Sequence, residues 1–320
     1  MAAPAGAVQT YQVGFWPSAT APTHEDLMDI CTILDSYQTP LWSTAPKVRA
    51  RDVVHSWTVD TLGATATAGA IDGDDFAATA TASTPIRQVN VCQTFDGEVV
   101  VSDRERESNV AGIRDMYEHQ VMKRFKEIAR NAEARFFAST VAVSSSATGD
   151  ATTASRLKSF LGFPIVTAAS ASGGVTTADI VALSESLFNA GAEPDSIWFA
   201  PASKRQFINA TVATASGIIN YRNIAATDNK LVANVDVFET PFNQLYAIIV
   251  DRFIPLSTNS ASGAYYIGDR SMAKIAVWRP PQHKPMGKNG DHTRGLVLMD
   301  VTLQLDHPSA WGAVTGVTNG

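Results

Sequence analysis

This sequence of 320 residues has few cysteines, no surplus of basic residues and no long hydrophobic run. Its two cysteines, Cys31 and Cys92, are far apart and form no CxxC pair, which argues against a disulfide framework and a zinc knuckle. No window reaches the ~18 consecutive apolar residues of a membrane span, and the N-terminus lacks the pattern of a secretory signal. We therefore expect no membrane partner and synthesis in the cytoplasm.

The charge balance also excludes a large class of partners. Lys and Arg number 25 against 31 Asp and Glu, so the formal net charge is −6. A chain without a basic surplus cannot hold nucleic acid strongly through its phosphates, so any contact with DNA should be weak and non-specific. Hydrophobic residues make up 45% of the chain and charged residues 18%, which is typical of a folded protein.

Catalytic and cofactor-binding motifs are missing as well. The six histidines are scattered without HExxH spacing, and neither GxGxxG nor GxSxG occurs. The sequence therefore predicts no cofactor, no metal and no catalytic residue, and hence no enzyme. Two alternatives stay open: Cys92 and His55 could form the nucleophile and base of a Cys/His hydrolase, and the Ala/Thr-rich composition also suits an extracellular array or adhesin protein.

A long, small-residue connection is the most unusual segment of the chain. Strand patterns at Val53–Asp60 and Val89–Val101 predict a β-hairpin, and eight Ala and six Thr occupy the 24 residues of Thr61–Thr84 between them. Such side chains bury too little apolar surface to offset the entropy of ordering the backbone. We expect either a surface loop without fixed contacts or an arm that orders by lying across a neighbouring molecule.

Apolar residues recur every three or four positions from Val110 to Phe136, which predicts a helix of about 27 residues and ~40 Å. Its charged residues, among them Glu133, are assigned to solvated faces. Before the hairpin we expect one helix at about Glu25–Asp35. After the long helix, Ser139–Ser155 is predicted to be a linking segment. Beyond residue 155 the patterns predict a mixed α/β module, with helices at Asp179–Ala190 and from Pro201, and strands at Ile197–Ala200, Val235–Phe238, Leu245–Val250, Tyr265–Ile267, Lys274–Trp278 and Leu296–Leu305.

This order of elements resembles the major capsid proteins of tailed bacteriophages, which have the Hong Kong 97-like fold. Short motifs carry the resemblance across residues 24–317: Glu25–Leu27, Gln38–Leu41, Trp57–Leu62, Phe238–Phe242, Asp251–Pro255, Gly287–Asp291 and Asp300–Leu303. Asp300 departs from the pattern, since Glu is expected there. The resemblance implies an α+β chain with an N-terminal arm (1–50), an extended β-hairpin loop (51–102), a spine helix and peripheral domain (103–160), an axial domain (161–270) and returning peripheral strands (271–320).

The resemblance also implies a function. A major capsid protein self-assembles through hexamers and pentamers into an icosahedral shell around packaged double-stranded DNA, and it meets scaffolding, portal and decoration proteins. The expected location is the virion capsid, after assembly in the host bacterial cytoplasm; a capsid-maturation protease is the form that the hydrolase alternative would take. Some relatives crosslink the extended loop to a neighbour through a Lys–Asn bond, but residues 53–98 contain no lysine.

Two regions are predicted to contact neighbouring subunits. The first is the Ala/Thr-rich loop, and the second is the glycine-bearing turn Gly287–Asp291, which the resemblance places near local three-fold positions. The predicted contact residues are Ala64, Thr67, Asp72, Asp74, Phe76, Thr79, Lys288, Asn289 and Asp291.

Overall fold

The computed structural model describes residues 38–62, 72, 84–108, 113–138, 155–170, 173–213, 236–255, 263–288 and 290–318. The expected helix at Glu25–Asp35 and nearly all of Ser139–Ser155 lie outside these ranges. The described α-helices are α1 Pro40–Thr44, α2 Asp103–Glu107, α3 Met116–Phe136, α4 Thr177–Asn189 and α5 Pro201–Ala213. The described strands are β1 Lys47–Arg49, β2 Val54–Val59, β3 Ile86–Val91, β4 Gln93–Ser102, β5 Val166–Ala169, β6 Ser196–Phe199, β7 Val237–Glu239, β8 Leu245–Val250, β9 Ala264–Gly268, β10 Ala273–Met286, β11 His292–Leu305 and β12 Trp311–Thr315.

The long helix α3 is shorter than the apolar stripe predicted. It has 21 residues, or ~31 Å, because Asp115 caps its N-terminus: the Asp115 carboxylate accepts hydrogen bonds from the backbone N–H groups of Tyr117 and Glu118. Asp115 has an extended backbone, and Ile113 lies before the helix. Because α3 begins at Met116, the prediction of a helix from Val110 was wrong at its start. Residues 103–107 form the separate short helix α2.

Helix α3 packs on a four-stranded sheet of order β1-β10-β11-β4, in which β10 and β11 form a long antiparallel hairpin. Strand β10 extends beyond the predicted Trp278 to Met286, although Pro280 and Pro281 cannot donate to the ladder. The register shifts between Val277 and Gln282 accommodate these prolines. A Cβ on Gly295 would overlap the Tyr117 hydroxyl oxygen and the His283 ring, so glycine at this position allows the close approach of α3 to β11.

A second sheet of order β5-β12-β9-β6-β8-β7 carries α4 and α5. Helix α4 ends at Asn189, one residue before the predicted end at Ala190, and Gly191 then stops the helix with a φ of +85°, which glycine readily adopts. A buried aromatic cluster joins the C-terminal end of α3 to this sheet: ring centroids are 5.2 Å apart for Phe137–Phe160, 5.4 Å for Phe137–Tyr266 and 4.6 Å for Phe160–Trp311. The two sheets therefore share one apolar core through α3.

The predicted hairpin forms from β2 and β3, but the expected continuous strand Val89–Val101 is interrupted at Cys92. Strand β3 pairs with β2, whereas β4 pairs with β11 in the four-stranded sheet. The hairpin is anchored to the body, because the Trp57 indole N–H donates to the Leu305 carbonyl at 2.7 Å and the Asn90 amide donates to the Leu303 carbonyl at 2.7 Å. The hairpin is therefore fixed to the body through both of its strands.

Candidate assembly surfaces

The hairpin presents an apolar rim where the Ala/Thr-rich loop leaves and returns. Leu62 is fully exposed, and Ile86, the first residue of β3, is 64% exposed. Of the loop residues predicted to contact a neighbour, Asp72 is exposed. Ala64, Thr67, Asp74, Phe76 and Thr79 lie outside the described residues. Covering these large apolar side chains with another surface would lower the free energy of the system.

The turn Gly287–Asp291 lies at the tip of the β10–β11 hairpin. Lys288 and Asp291 are exposed there, and Asn289 lies outside the described residues. The Lys288 ammonium binds the Asp103 carboxylate, which also accepts a 2.8 Å hydrogen bond from the Thr293 hydroxyl. These hydrogen bonds lower the pKa of Asp103 below its usual range. The tip is thus anchored at its base and exposed at its end.

Two of the sequence motifs meet at a buried glutamate in α3. The Glu133 carboxyl accepts hydrogen bonds from the backbone N–H groups of Leu41 at 2.6 Å and Trp42 at 2.8 Å, which are the first free donors of α1. The Asp251 carboxyl, which follows β8, faces Glu133 and accepts a 2.8 Å bond from the Phe253 N–H. Glu133 therefore joins the segment before the first sheet, the long helix and the second sheet.

Burial and mutual repulsion favour the protonated form of the Glu133–Asp251 pair. Both side chains are fully buried, and burial raises both pKa values; the charge of Asp251 further raises the pKa of Glu133, to about 9. The sequence analysis assigned Glu133 to a solvated face, which was wrong. Its position three residues before the buried Phe136, on the edge of the apolar stripe, was the available signal.

The closing motif Asp300–Leu303 also has a structural role. Strict alternation along Leu296–Leu305 would place Asp300 and Gln304 on one polar face of the strand. Asp300 is instead fully buried and binds the Arg279 guanidinium, whose Nη2 lies 3.0 Å from Oδ1. Gln304 instead bonds to His55 of the hairpin. Because β11 is covered by α3 on one side and partly by β3 on the other, its middle is buried on both faces.

The arrangement of Cys92 and His55 does not support a hydrolase. The Cys92 thiol is buried against the Asp52 carbonyl, and burial together with Asp300 and Asp52 raises its pKa to about 11. His55 directs Nε2 to the Gln304 amide oxygen, 2.7 Å away, and pairs with Asn90 across the hairpin. A thiol with this pKa is not a nucleophile at neutral pH, since the thiolate is the reactive form.

Within the described ranges, no group of three His, Cys, Asp or Glu side chains is arranged to hold a metal ion. The helices that the structure describes include none long and apolar enough to cross a bilayer.

Comparisons with known proteins agree on one family. The model of the SU10 major capsid protein family matches residues 5–318. The major capsid protein of Escherichia phage Phieco32 is 26% identical over 141 residues, which are 44% of this chain and span 38% of that protein's length.

Solved structures resemble this chain in fold. The cyanophage A-1(L) capsid protein has a TM-score of 0.63 at 12% identity, over 92% of this chain and 97% of the other. The SrpI encapsulin from Synechococcus elongatus PCC 7942 has a TM-score of 0.56 at 12% identity, over 98% and 96%. These neighbours have the Hong Kong 97-like fold, so the α+β architecture predicted from the order of elements is confirmed.

Proposed function

The chain belongs to the SU10 major capsid protein family, and on that premise we propose that it assembles through hexamers and pentamers into an icosahedral shell enclosing packaged double-stranded DNA. The family match over residues 5–318 is the observation that carries this proposal. The neighbours in fold are shell proteins by their names, a phage capsid and an encapsulin. The subunit's role is accordingly structural rather than catalytic.

The geometry of the subunit supports assembly through its projecting parts. Two hairpins extend from a body whose largest aromatic side chains are fully buried: β2–β3 with its exposed apolar rim, and β10–β11 with its exposed tip. We assign inter-subunit contact to Thr61–Thr84 and to Gly287–Asp291. A shell of many copies needs only modest contacts, because each subunit is held by several neighbours at once.

The partners and location follow from the same proposal. The chief partner is a second copy of the chain, and scaffolding, portal and decoration proteins are further candidates. The net charge of −6 suits weak, non-specific contact with the packaged DNA. Assembly takes place in the host bacterial cytoplasm, and the domain limits are those derived from the sequence, with α3 as the spine helix.

Expression of this chain alone, followed by negative-stain electron microscopy, tests the proposal. We expect closed particles of uniform diameter that sediment far faster than a 34.1 kDa monomer. Assembly should increase with protein concentration, because every subunit added makes several contacts. A protein that stays monomeric at every concentration, with or without a co-expressed scaffolding protein, would contradict it.

The shell is also expected to lack a covalent crosslink from its extended loop. Residues 53–98 contain no lysine, so this hairpin cannot supply the amine of a Lys–Asn bond. Assembled particles boiled in detergent should therefore run as a single 34.1 kDa band. A ladder of covalent oligomers, with a crosslinked peptide mapped by mass spectrometry to residues 53–98, is the opposite result.

A further inference from the structure

Three arginines cluster beside the β2–β3 hairpin. Arg49 ends the edge strand β1, Arg51 follows it, and Arg87 lies on β3; all three are exposed and line one cavity of about 440 Å³. Asp52 lines the same cavity and turns its Oδ1 to the Val53 N–H, 2.6 Å away. The cavity thus carries three positive groups against one negative group on a chain whose net charge is −6.

This arginine cluster, Arg49, Arg51 and Arg87, has no anionic partner in the part of the chain that the structure describes. None of the three guanidinium groups forms an ion pair with a carboxylate there. Arg87 donates to the Ser56 hydroxyl, 3.2 Å away, which positions its side chain along the hairpin. Guanidinium groups offer paired donors that suit carboxylates, so the cluster is ready to receive an acidic segment.

The same chain contains an acidic segment of complementary charge. Asp72, Asp74 and Asp75 lie in Thr61–Thr84, which contains neither lysine nor arginine. Asp72 is exposed and forms no ion pair with the described residues. Nine residues lie between Leu62 and Asp72, and a chain of this length can span at most roughly 30 Å.

We propose that the arginine cluster of one subunit binds the acidic segment Asp72–Asp75 of a second copy. This rests on the proposed shell function and names the partner surface of the loop. Every copy in a shell contains one acidic segment and one arginine cluster, so the number of segments equals the number of clusters. The two sets of charges, three carboxylates against an excess of two positive groups, nearly neutralise each other.

Exposed ion pairs are individually weak and are screened by salt. Their repetition around each capsomer multiplies the effect, and their geometry selects one register between neighbours. Assembly should therefore weaken as ionic strength rises. Reversing the charges on one side should reduce assembly far more than it would weaken a single contact between two isolated proteins.

Charge reversal on each side tests the contact. The first variant carries Arg49→Glu and Arg51→Glu, leaving Arg87 in place because it bonds to Ser56. The second carries Asp72→Lys, Asp74→Lys and Asp75→Lys. Each variant alone should reduce the yield of closed particles about tenfold or more. The control carries Arg114→Glu, at an exposed position just before α3, and Lys123→Glu, at an exposed position on α3; it makes the same change in net charge and should assemble normally.

A mixture of the two variants shows whether the contact joins separate copies. Within each variant chain, the segment and the cluster have the same sign, but between unlike neighbours a segment meets a cluster of opposite sign. A chain that carries both sets of reversals should assemble by itself. Co-expression of the two variants should give capsomers that contain both chains, while closed particles should be restored only in part, because a ring of five subunits cannot alternate two chains. Assembly of the doubly reversed chain together with no mixed capsomers from the mixture would show a contact within one chain and would overturn the proposal.

Other results also overturn it and leave the shell function intact. Normal assembly of the arginine variant and of the aspartate variant would be one such result, and equal failure of the Arg114/Lys123 control would be another. A third would be an arginine variant that forms shells but no longer retains DNA, which would make nucleic acid the ligand. Failure of the unaltered chain to form particles would instead contradict the proposed function.

Discussion

Deletion of residues 64–82 is expected to leave a soluble, folded subunit that cannot close shells. The deletion removes most of the Ala/Thr-rich loop but keeps seven residues between Val59 and Ile86, which pair at the end of the β2–β3 hairpin. That is ample for an antiparallel connection, so the hairpin and its anchor at Trp57 should be retained. Electron microscopy and sedimentation should show no closed particles, because the proposed contact with the neighbour is lost.

Circular dichroism and thermal unfolding of the same variant separate folding from assembly. Both should match the unassembled full-length subunit, since the deleted segment consists mostly of small side chains, which bury little apolar surface. A control that replaces residues 64–82 by a Gly/Ser linker of equal length should also fail, because length alone supplies no contact. Normal particles from the deletion variant would refute the role of this loop.

Glu133→Ala is expected to destabilise the subunit by about 3 kcal/mol, since it leaves the buried N–H groups of Leu41 and Trp42 without an acceptor. Urea unfolding of the unassembled subunit measures the loss. Asp306→Ala, which removes a partly exposed carboxylate bound to Lys274, is the matched control and should cost less than about 1 kcal/mol. Equal effects of the two substitutions would show that Glu133 does not anchor α1.

The pH dependence of stability gives a second measure of the same pair. The folded pKa of Glu133, about 9, lies above the ordinary value of 4.5, so the native state binds more protons than the unfolded chain between these values. This contribution to the unfolding free energy is greatest below the unfolded pKa and is lost as pH rises towards 9. Asp251→Asn keeps an acceptor for the Phe253 N–H but removes the Asp251 titration and the part of the raised Glu133 pKa that the Asp251 charge causes, while the effect of burial on Glu133 remains. The slope should therefore become shallower, and the variant should be the more stable protein at pH 8. An unchanged slope would contradict the influence of Asp251 on Glu133.

Local sequence patterns predicted several elements closely. The positions of β2, β6, β8 and α4 follow from alternation, helical spacing and the stop at Gly191, which are properties of neighbouring residues. The start of α3 was missed because the apolar spacing continues upstream of a cap that only Asp115 supplies. The break at Cys92 was missed because the same alternation serves two strands, which pair with different partners.

The amino-acid sequence by itself determined the element types, the absence of catalytic motifs and the small-residue loop, since these depend on composition and short-range spacing. Only the tertiary structure decided that Glu133 is buried against α1 and Asp251, that Asp300 is buried, and that Arg49, Arg51 and Arg87 line one cavity. Each of these depends on residues from separate strands and helices meeting in space. The free energy of a buried charge or a clustered one is set by those distant neighbours, which no local pattern records.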